Sequence, residues 1–271
     1  MALVKLFTIS LLTLASAFAN VKPKEPILTV QTPKETKSFT LSQLEKRDDV
    51  EAITVTNDPA YPNQTRTYNA VKAASLFEDI KIDDDSIIQF KALDGFSAPL
   101  TKIRLLNKDE SKSIAYIAIE SKKDKWPELK PGKPSAGPFY LIWKNPELSK
   151  IGTEEWPFML AGFEIKDSLE KTYPKIVPDP RFTPGLNVFV KNCFACHTMN
   201  GNGTSQIGPD LNIPMNPTEY LRETAFKKLI RNPSDVRTWP NAVMKGFSKD
   251  VLSDEDLDNL ILYLKDMAAK N

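Results

Sequence analysis

Both cysteines and the only histidine of the chain lie within five consecutive positions, Cys193 to His197. The stretch reads KNCFACHT, and a CxxC beside a histidine occurs in redox dithiols, in zinc sites and in c-type haem attachment sites. Zinc normally takes four Cys or His ligands in tetrahedral geometry, which three donors within one turn do not supply. The residues before Cys193 also lack the βαβ pattern of a thioredoxin-like dithiol. Haem attachment needs no missing partner, because two thioethers anchor the porphyrin and His197 ligates its iron.

The second axial ligand of such an iron has few candidates in this chain. With no further histidine or cysteine, the sixth position is left to Met, Lys, Asn, water or nothing. Met199 follows His197 too closely to reach the opposite haem face, whereas Met215 and Met244 lie on segments that can wrap around it. A His/Met iron is six-coordinate and has a raised potential, so it suits electron transfer better than oxygen or peroxide chemistry, which needs an open position.

Helices are predicted on both sides of the candidate ligand loops. Leu221 to Ile230 is amphipathic and precedes an Asn-Pro pair that ends a helix. Ser253 with Asp256 three residues later forms a capping signature, and apolar residues at helical spacing follow as far as Ala269. We therefore predict an all-helical second half that packs around the haem.

Several short motifs between about residue 180 and residue 271 occur together in one order. They are Gly185 and Phe189, Cys193 to His197, Gly208-Pro209-Asp210-Leu211, Met244-Lys245-Gly246-Phe247, and the closing helix with Tyr263. In this combination the segment resembles a class I cytochrome c over its whole length.

The resemblance implies roles for particular residues. It favours Met244 as the second iron ligand, with Met215 in reserve, and it implies that the Pro209 carbonyl accepts a hydrogen bond from His197. Arg237 and Trp239 precede the ligand loop and are candidates to hydrogen-bond a haem propionate, although packing alone would also explain Trp239. The rim near Cys193 and Phe194 is expected to expose the haem edge, so that electrons enter there.

The first half of the chain has a different pattern. Alternating or β-branched runs predict strands, a piece from Val71 to Phe77 reads as a short helix, and Asn57-Asp58-Pro59 and Asp94-Gly95 read as turns. The predicted class is therefore α+β. The strand runs cover residues 52–56, 86–91, 114–119 and 139–143.

Three stretches in the first half of the chain carry a second resemblance to a known family. They are Thr65 to Phe77, Ile87 to Phe96 and Gly137 to Trp143. Through them, the run from Phe39 to about Ile165 resembles the molybdopterin-binding domain of the sulfite oxidase fold family. That family binds molybdenum through a cysteine, and the corresponding stretch here, Thr54 to Asp58, has no thiol. We therefore expect a cofactor-free relative that serves for binding or docking.

The first residues and the overall charge indicate where the protein works. Met1 to Ala19 has a lysine, an apolar run and a small-residue end, which is typical of a secretory signal peptide; no later segment has the roughly 20 apolar residues of a membrane span. With 36 basic and 35 acidic residues, the chain shows no bias towards nucleic acid. Five lysines around Trp126-Pro127 could dock an acidic partner, although a solvated loop also explains them.

These observations predict a division of the chain and a function. The predicted segments are a signal peptide at 1–19, an N-terminal extension at 20–38, a sulfite-oxidase-like domain at 39–170, a proline-rich extended linker at 171–184 and an all-α cytochrome c domain at 185–271. The predicted function is electron transfer by an exported or periplasmic monohaem c-type cytochrome, with one covalent haem c and protein redox partners. No catalytic residue is predicted. Alternatives are an oxidoreductase whose first domain binds substrate or metal, and a binding module in which the haem reports redox state.

Overall fold

The computed structural model describes residues 25–205, 207–238, 240 and 242–270. The predicted signal peptide lies outside the described residues. Residues 25–168, here called the N-terminal region, form a sheet-rich unit. Its strands are β1 Ile27–Gln31, β2 Thr36–Thr40, β3 Glu51–Val55, β4 Arg66–Lys72, β5 Ser86–Ala92, β6 Ser97–Thr101, β7 Ile114–Ile119, β8 Phe139–Lys144 and β9 Leu160–Ser168.

The strands form two sheets that share one core. One sheet has the order β2-β1-β9-β5-β6 and the other has the order β3-β4-β7-β8. The β7 and β8 strands are apolar along almost their whole length and are buried on both faces, as expected for central strands covered on each side. Residues of both sheets, among them Val30, Phe163 and Leu141, belong to a single buried cluster.

The structure confirms the four predicted strand runs and corrects the predicted helix. Val71 and Lys72 end β4, and only a 3₁₀ turn, Ala73–Leu76, follows them. Helices α1, Leu41–Glu45, and α2, Lys102–Leu105, are each about one turn long. The described part of the region is therefore mostly β, with less helix than an α+β class implies.

The segment predicted as an N-terminal extension is part of the sheet where it is described. Strand β1 pairs in parallel with β9 and antiparallel with β2. Leu28 and Val30 on β1 are fully buried, because this strand lies inside the sheet order rather than at its edge. Sequence alone did not indicate this pairing, since the partner strand β9 lies more than a hundred residues away.

The proline-rich segment is a series of packed turns rather than an extended linker. Helix α3, Leu169–Thr172, is followed by 3₁₀ turns at Pro174–Ile176 and Pro180–Phe182. A proline occupies the first position of each 3₁₀ turn, where its missing N–H costs no hydrogen bond. Ile176 is fully buried, and its carbonyl accepts a hydrogen bond from the Tyr263 hydroxyl at 2.9 Å.

The second half, here called the C-terminal region, is helical where it is described. Its helices are α4 Thr183–Asn192, α5 Pro217–Tyr220, α6 Glu223–Arg231 and α7 Asp254–Ala268. The predicted cap of the last helix is present, because Ser253 and Asp256 form a reciprocal capping box. No helix among the described residues is both long enough and apolar enough to cross a membrane.

A close crossing of α4 and α7 supports the haem-motif segment. A Cβ atom at Gly185 would lie 2.2 Å from the Asn259 carbonyl oxygen and 2.5 Å from Tyr263 Cβ, so only glycine allows this approach. Phe189, one turn later, packs with its ring centroid 5.4 Å from that of Tyr263. The crossing therefore fixes the end of α4, from which the cysteines follow.

Candidate functional site

The two cysteines lie on a turn that continues helix α4. The Cys193 amide donates to the Phe189 carbonyl at 2.8 Å, and the His197 amide donates to the Cys193 carbonyl at 2.9 Å. Cys193, Cys196 and His197 therefore lie within one helical turn, and the cysteines are free thiols. Such a turn can present two thiols and an imidazole to a single flat ligand.

The environment of the thiols differs from that of a reactive dithiol. Burial raises the pKa of Cys193 to about 12, and burial likewise raises the pKa of Cys196. Reactive dithiols instead depend on a lowered thiol pKa, because the thiolate is the nucleophile. This environment does not favour a redox dithiol.

The ring of His197 is oriented by a backbone carbonyl. Its Nδ1 lies 2.8 Å from the Pro209 oxygen, and because a carbonyl only accepts, the proton resides on Nδ1. The lone pair of Nε2 is then available to iron. Burial lowers the pKa of His197, which keeps the imidazole neutral as a metal ligand must be. The predicted hydrogen bond between these two residues is present.

Gly208 lies directly against the His197 ring. A Cβ atom there would lie 2.5 Å from the ring Cε1 and 2.6 Å from Nδ1, so any side chain would displace the imidazole. We predict that Gly208→Ala lowers the proportion of low-spin, six-coordinate haem and costs about 1–3 kcal/mol of stability through overpacking. Thr224→Ala, at an exposed position of α6, is the control. The reduced absorption spectrum and thermal unfolding measure both effects, and identical behaviour of the two variants would contradict the prediction.

Asp210 ties together the loop that supplies the Pro209 carbonyl. One carboxylate oxygen accepts from the amides of Asn200, Asn212 and Ile213 at 2.8–3.1 Å, and the other accepts from Gly201 at 2.8 Å. These bonds lower the pKa of Asp210 against the opposing effect of its burial. Sequence reasoning included this residue in a motif but assigned it no role.

Met215 and Met244 both remain candidates for the distal iron ligand. Met199 is fully buried in the helical core, in agreement with its exclusion. Met215 and Met244 are both exposed, with 51% and 39% of their surface accessible. The loop of Met244 is tied to α6, because the Phe247 amide donates to the Ile230 carbonyl at 3.1 Å. The choice between them stays a prediction.

Exposed apolar side chains are frequent in the segment that follows the thiols and the imidazole in the chain. Among the described residues of 207–244, seven large apolar side chains are exposed, although the rest of the region buries most of its apolar residues. A porphyrin, which is flat and largely apolar, could cover side chains of this kind. Together with the neutral His197 and the two free thiols, these residues fit haem c. They are Ile207, Ile213, Met215, Tyr220, Val236, Val243 and Met244.

Of the two residues proposed to hydrogen-bond the haem propionates, the structure describes only Arg237. Trp239 lies outside the described residues. Arg237 lies in the exposed segment after the 3₁₀ turn Pro233–Asp235. The propionate contact therefore stays a prediction for both of them.

The expected exposure of the haem edge near Cys193 and Phe194 stays a prediction. The two residues between the cysteines, Phe194 and Ala195, are each only 2% exposed. Phe194 packs with its ring centroid 4.9 Å from that of Tyr173, while Ala195 belongs to the core of the N-terminal region. The sheet-rich region therefore packs against the haem-motif turn at Ala195.

The stretch Thr54 to Asp58 of the N-terminal region ends in a buried polar cluster. Asp58 is fully buried and accepts hydrogen bonds from the Tyr68 hydroxyl, from the Tyr140 hydroxyl at 2.8 Å and from the Ala60 amide at 2.8 Å. Burial raises the pKa of both phenols, so both remain donors. Within the described part of the chain, no group of three His, Cys, Asp or Glu side chains is placed to hold a metal ion.

Comparison with known proteins identifies the helical half. The cytochrome c family model matches residues 182–268. No curated protein sequence matches the chain significantly. The matched range begins one residue before α4 and ends with α7, and it contains the CxxCH motif, the Pro209 carbonyl and both candidate methionines. Residues 182–268 therefore form a cytochrome c domain that carries one covalently attached haem c and has a haem-based role in electron transfer.

Proposed function

We propose that this protein is an exported electron carrier, or the carrier subunit of a periplasmic redox complex, whose N-terminal region docks a redox partner. The observation that carries the proposal is the oriented, neutral His197 beside two free thiols in a cytochrome c domain. The export step rests on the signal-like sequence at Met1–Ala19.

Different residues of the C-terminal region hold different parts of the cofactor. Haem c supplies one-electron chemistry at its iron when it is bound. Cys193 and Cys196 fix the porphyrin edge, and His197 binds the iron through Nε2 while Pro209 holds the ring in place. Met244 is the proposed second ligand. A site with two protein ligands leaves no open position, which favours electron transfer over oxygen chemistry.

We place the sulfite-oxidase-like domain at 39–170 and assign it a docking role without a cofactor. The support is the Thr54–Asp58 stretch, where the thiol of that family is missing and Asp58 is engaged with two tyrosines. Three hydrogen bonds occupy most of the roughly four acceptor sites of this carboxylate, which leaves it little capacity to bind a metal. The exposed lysines around the buried Trp126 offer a basic surface to a partner.

The first test is the metal content per chain of protein purified from an exporting host that attaches haem. We expect one iron per chain and a low-spin c-type spectrum on reduction. Removal of the first 19 residues, read from the mass of the purified chain, is expected if the protein is exported. Molybdenum or copper bound stoichiometrically beside the iron would overturn the docking role in favour of a catalytic first domain. A reduced spectrum without a low-spin signature would overturn the carrier role.

The docking role predicts a charge effect that is local to one loop. Replacement of Lys122, Lys123, Lys130 and Lys133 by Gln should slow haem reduction by an acidic probe protein, a reduced plant-type ferredoxin, by several-fold at low salt. The difference should vanish near 1 M salt, where charges are screened beyond about 3 Å. A matched variant carries the same change at the exposed residues Lys34, Lys46, Lys81 and Lys171. Equal slowing in both variants would show that only net charge matters and would contradict docking at this loop.

A further inference from the structure

The N-terminal region contacts the segment that attaches the haem. Ala195 is buried in the N-terminal core, and the half-buried Cys196 packs against the same cluster. In return, Ile87 of β5 is buried in the core of the C-terminal region. These contacts enclose the middle of the CxxCH motif between the two regions.

A second contact is made by the 3₁₀ turn Thr153–Glu155, which follows β8. A Cβ atom at Gly152, immediately before the turn, would lie 3.6 Å from Val251 Cγ1 in the C-terminal region. The same Cβ atom would lie 3.1 Å from Glu154 Oε2, so the Glu154 carboxylate is on the side of the turn that meets the C-terminal region. Burial and, to a smaller extent, this carboxylate raise the pKa of both Cys193 and Cys196. Burial also raises the pKa of Glu154 itself.

The turn is held rigidly by the N-terminal region. Arg104 forms a bidentate ion pair with Glu155, with nitrogen–oxygen distances of 2.7 and 2.8 Å. The Trp143 indole N–H donates to the Glu155 carbonyl at 2.8 Å. Glu155 itself is buried, and the bidentate pair fastens the turn to the N-terminal region. The position of Glu154 is therefore set by the sheet-rich region rather than by the cytochrome fold.

We propose that the turn Thr153–Glu155 is a wall of the haem pocket, with the Glu154 carboxylate beside the thioether edge of the haem. The inference deepens the proposed electron-transfer function and rests on it. The N-terminal region closes the edge that a single-domain cytochrome exposes, and it places a negative charge there. Because a nearby negative charge stabilises the ferric state, this charge lowers the reduction potential of the haem.

The location is tested without any substitution by nuclear magnetic resonance of the isotope-labelled holoprotein. Paramagnetic shifts between the ferric and ferrous states fall steeply with distance from the iron. The amides of Thr153, Glu154 and Glu155 should shift markedly more than those of Ser121–Asp124, at the opposite end of the β7–β8 pair. Shifts of the turn no larger than those of the reference amides would overturn the proposal.

The charge is tested by the reduction potential of Glu154→Gln in the holoprotein across a range of alkaline pH, because burial raises the pKa of this carboxyl group. We expect a potential higher than that of the wild type. The matched control is Asp124→Asn, which removes one exposed carboxylate from the distant loop and should leave the potential unchanged. Equal potentials for Glu154→Gln and the wild type would overturn the placement of the carboxylate.

Failure of this inference and failure of the proposed function have different signatures. If the wild-type protein lacks a low-spin c-type spectrum, the carrier role fails before the turn is considered. If the spectrum is normal but the turn amides do not shift, the carrier role stands and the wall is wrong.

Discussion

Replacement of Met244 by alanine should remove the low-spin His/Met character of the haem and lower its reduction potential. A thioether ligand raises the potential, and axial ligands set haem potentials over about 0.8 V in total, so its loss is expected to have the largest effect of any single substitution outside the CxxCH motif. The measurements are the long-wavelength iron–sulfur absorption band of the ferric protein and the midpoint potential. We expect the band to disappear and the potential to fall.

The matched control is Met215→Ala, which removes the other exposed methionine of the cytochrome c domain. It should retain the iron–sulfur band, and its potential should stay close to that of the wild type. If the band is lost in Met215→Ala and kept in Met244→Ala, the reserve ligand is the true one. Covalent haem content should be equal in both variants, because Cys193 and Cys196 remain.

Replacement of Asp58 by alanine should destabilise the N-terminal region by about 2–5 kcal/mol. The change leaves the buried hydroxyls of Tyr68 and Tyr140 without their acceptor, and each buried unsatisfied group costs about 1–3 kcal/mol. Chemical denaturation followed by far-ultraviolet circular dichroism measures the loss. Asp94→Ala is the control, because Asp94 also accepts an amide two residues later, at 3.0 Å, but is exposed.

The control variant should lose less than about 1 kcal/mol, because water replaces an exposed acceptor. Equal losses in the two variants would mean that the cluster around Asp58 contributes nothing beyond a local turn. That result would also weaken the proposal that Asp58 has a structural role and binds no metal.

Local patterns predicted the elements of both halves well. The strand runs at residues 114–119 and 139–143 match β7 and β8, and the capping signature at Ser253 marks the true start of α7. Such signals depend on alternation or on hydrogen bonds within a few residues, so they can be read directly from the chain. The short helix predicted at Val71 to Phe77 failed because pairing of β4 with β3 and β7 overrides local preference.

The chemistry of the haem motif was equally local. Two thiols and one imidazole within five residues do not supply the four ligands of a typical zinc site, but they suffice to attach a haem. The hydrogen bond of His197 to Pro209 also spans only a short loop. The assignment of a cytochrome c domain could therefore be made from the sequence and agrees with the family match at 182–268.

What surrounds that motif was decided by tertiary structure alone. The burial of Ala195 in the N-terminal core, the burial of Ile87 in the C-terminal core and the hydrogen bond from Tyr140 to Asp58 all join residues far apart in the chain. A sequence pattern shows that a residue is apolar or charged, but the surface it meets depends on how distant parts of the chain pack. The sequence of this protein thus determined that it holds haem c, and only the tertiary structure decided that the N-terminal region packs against the haem-motif turn.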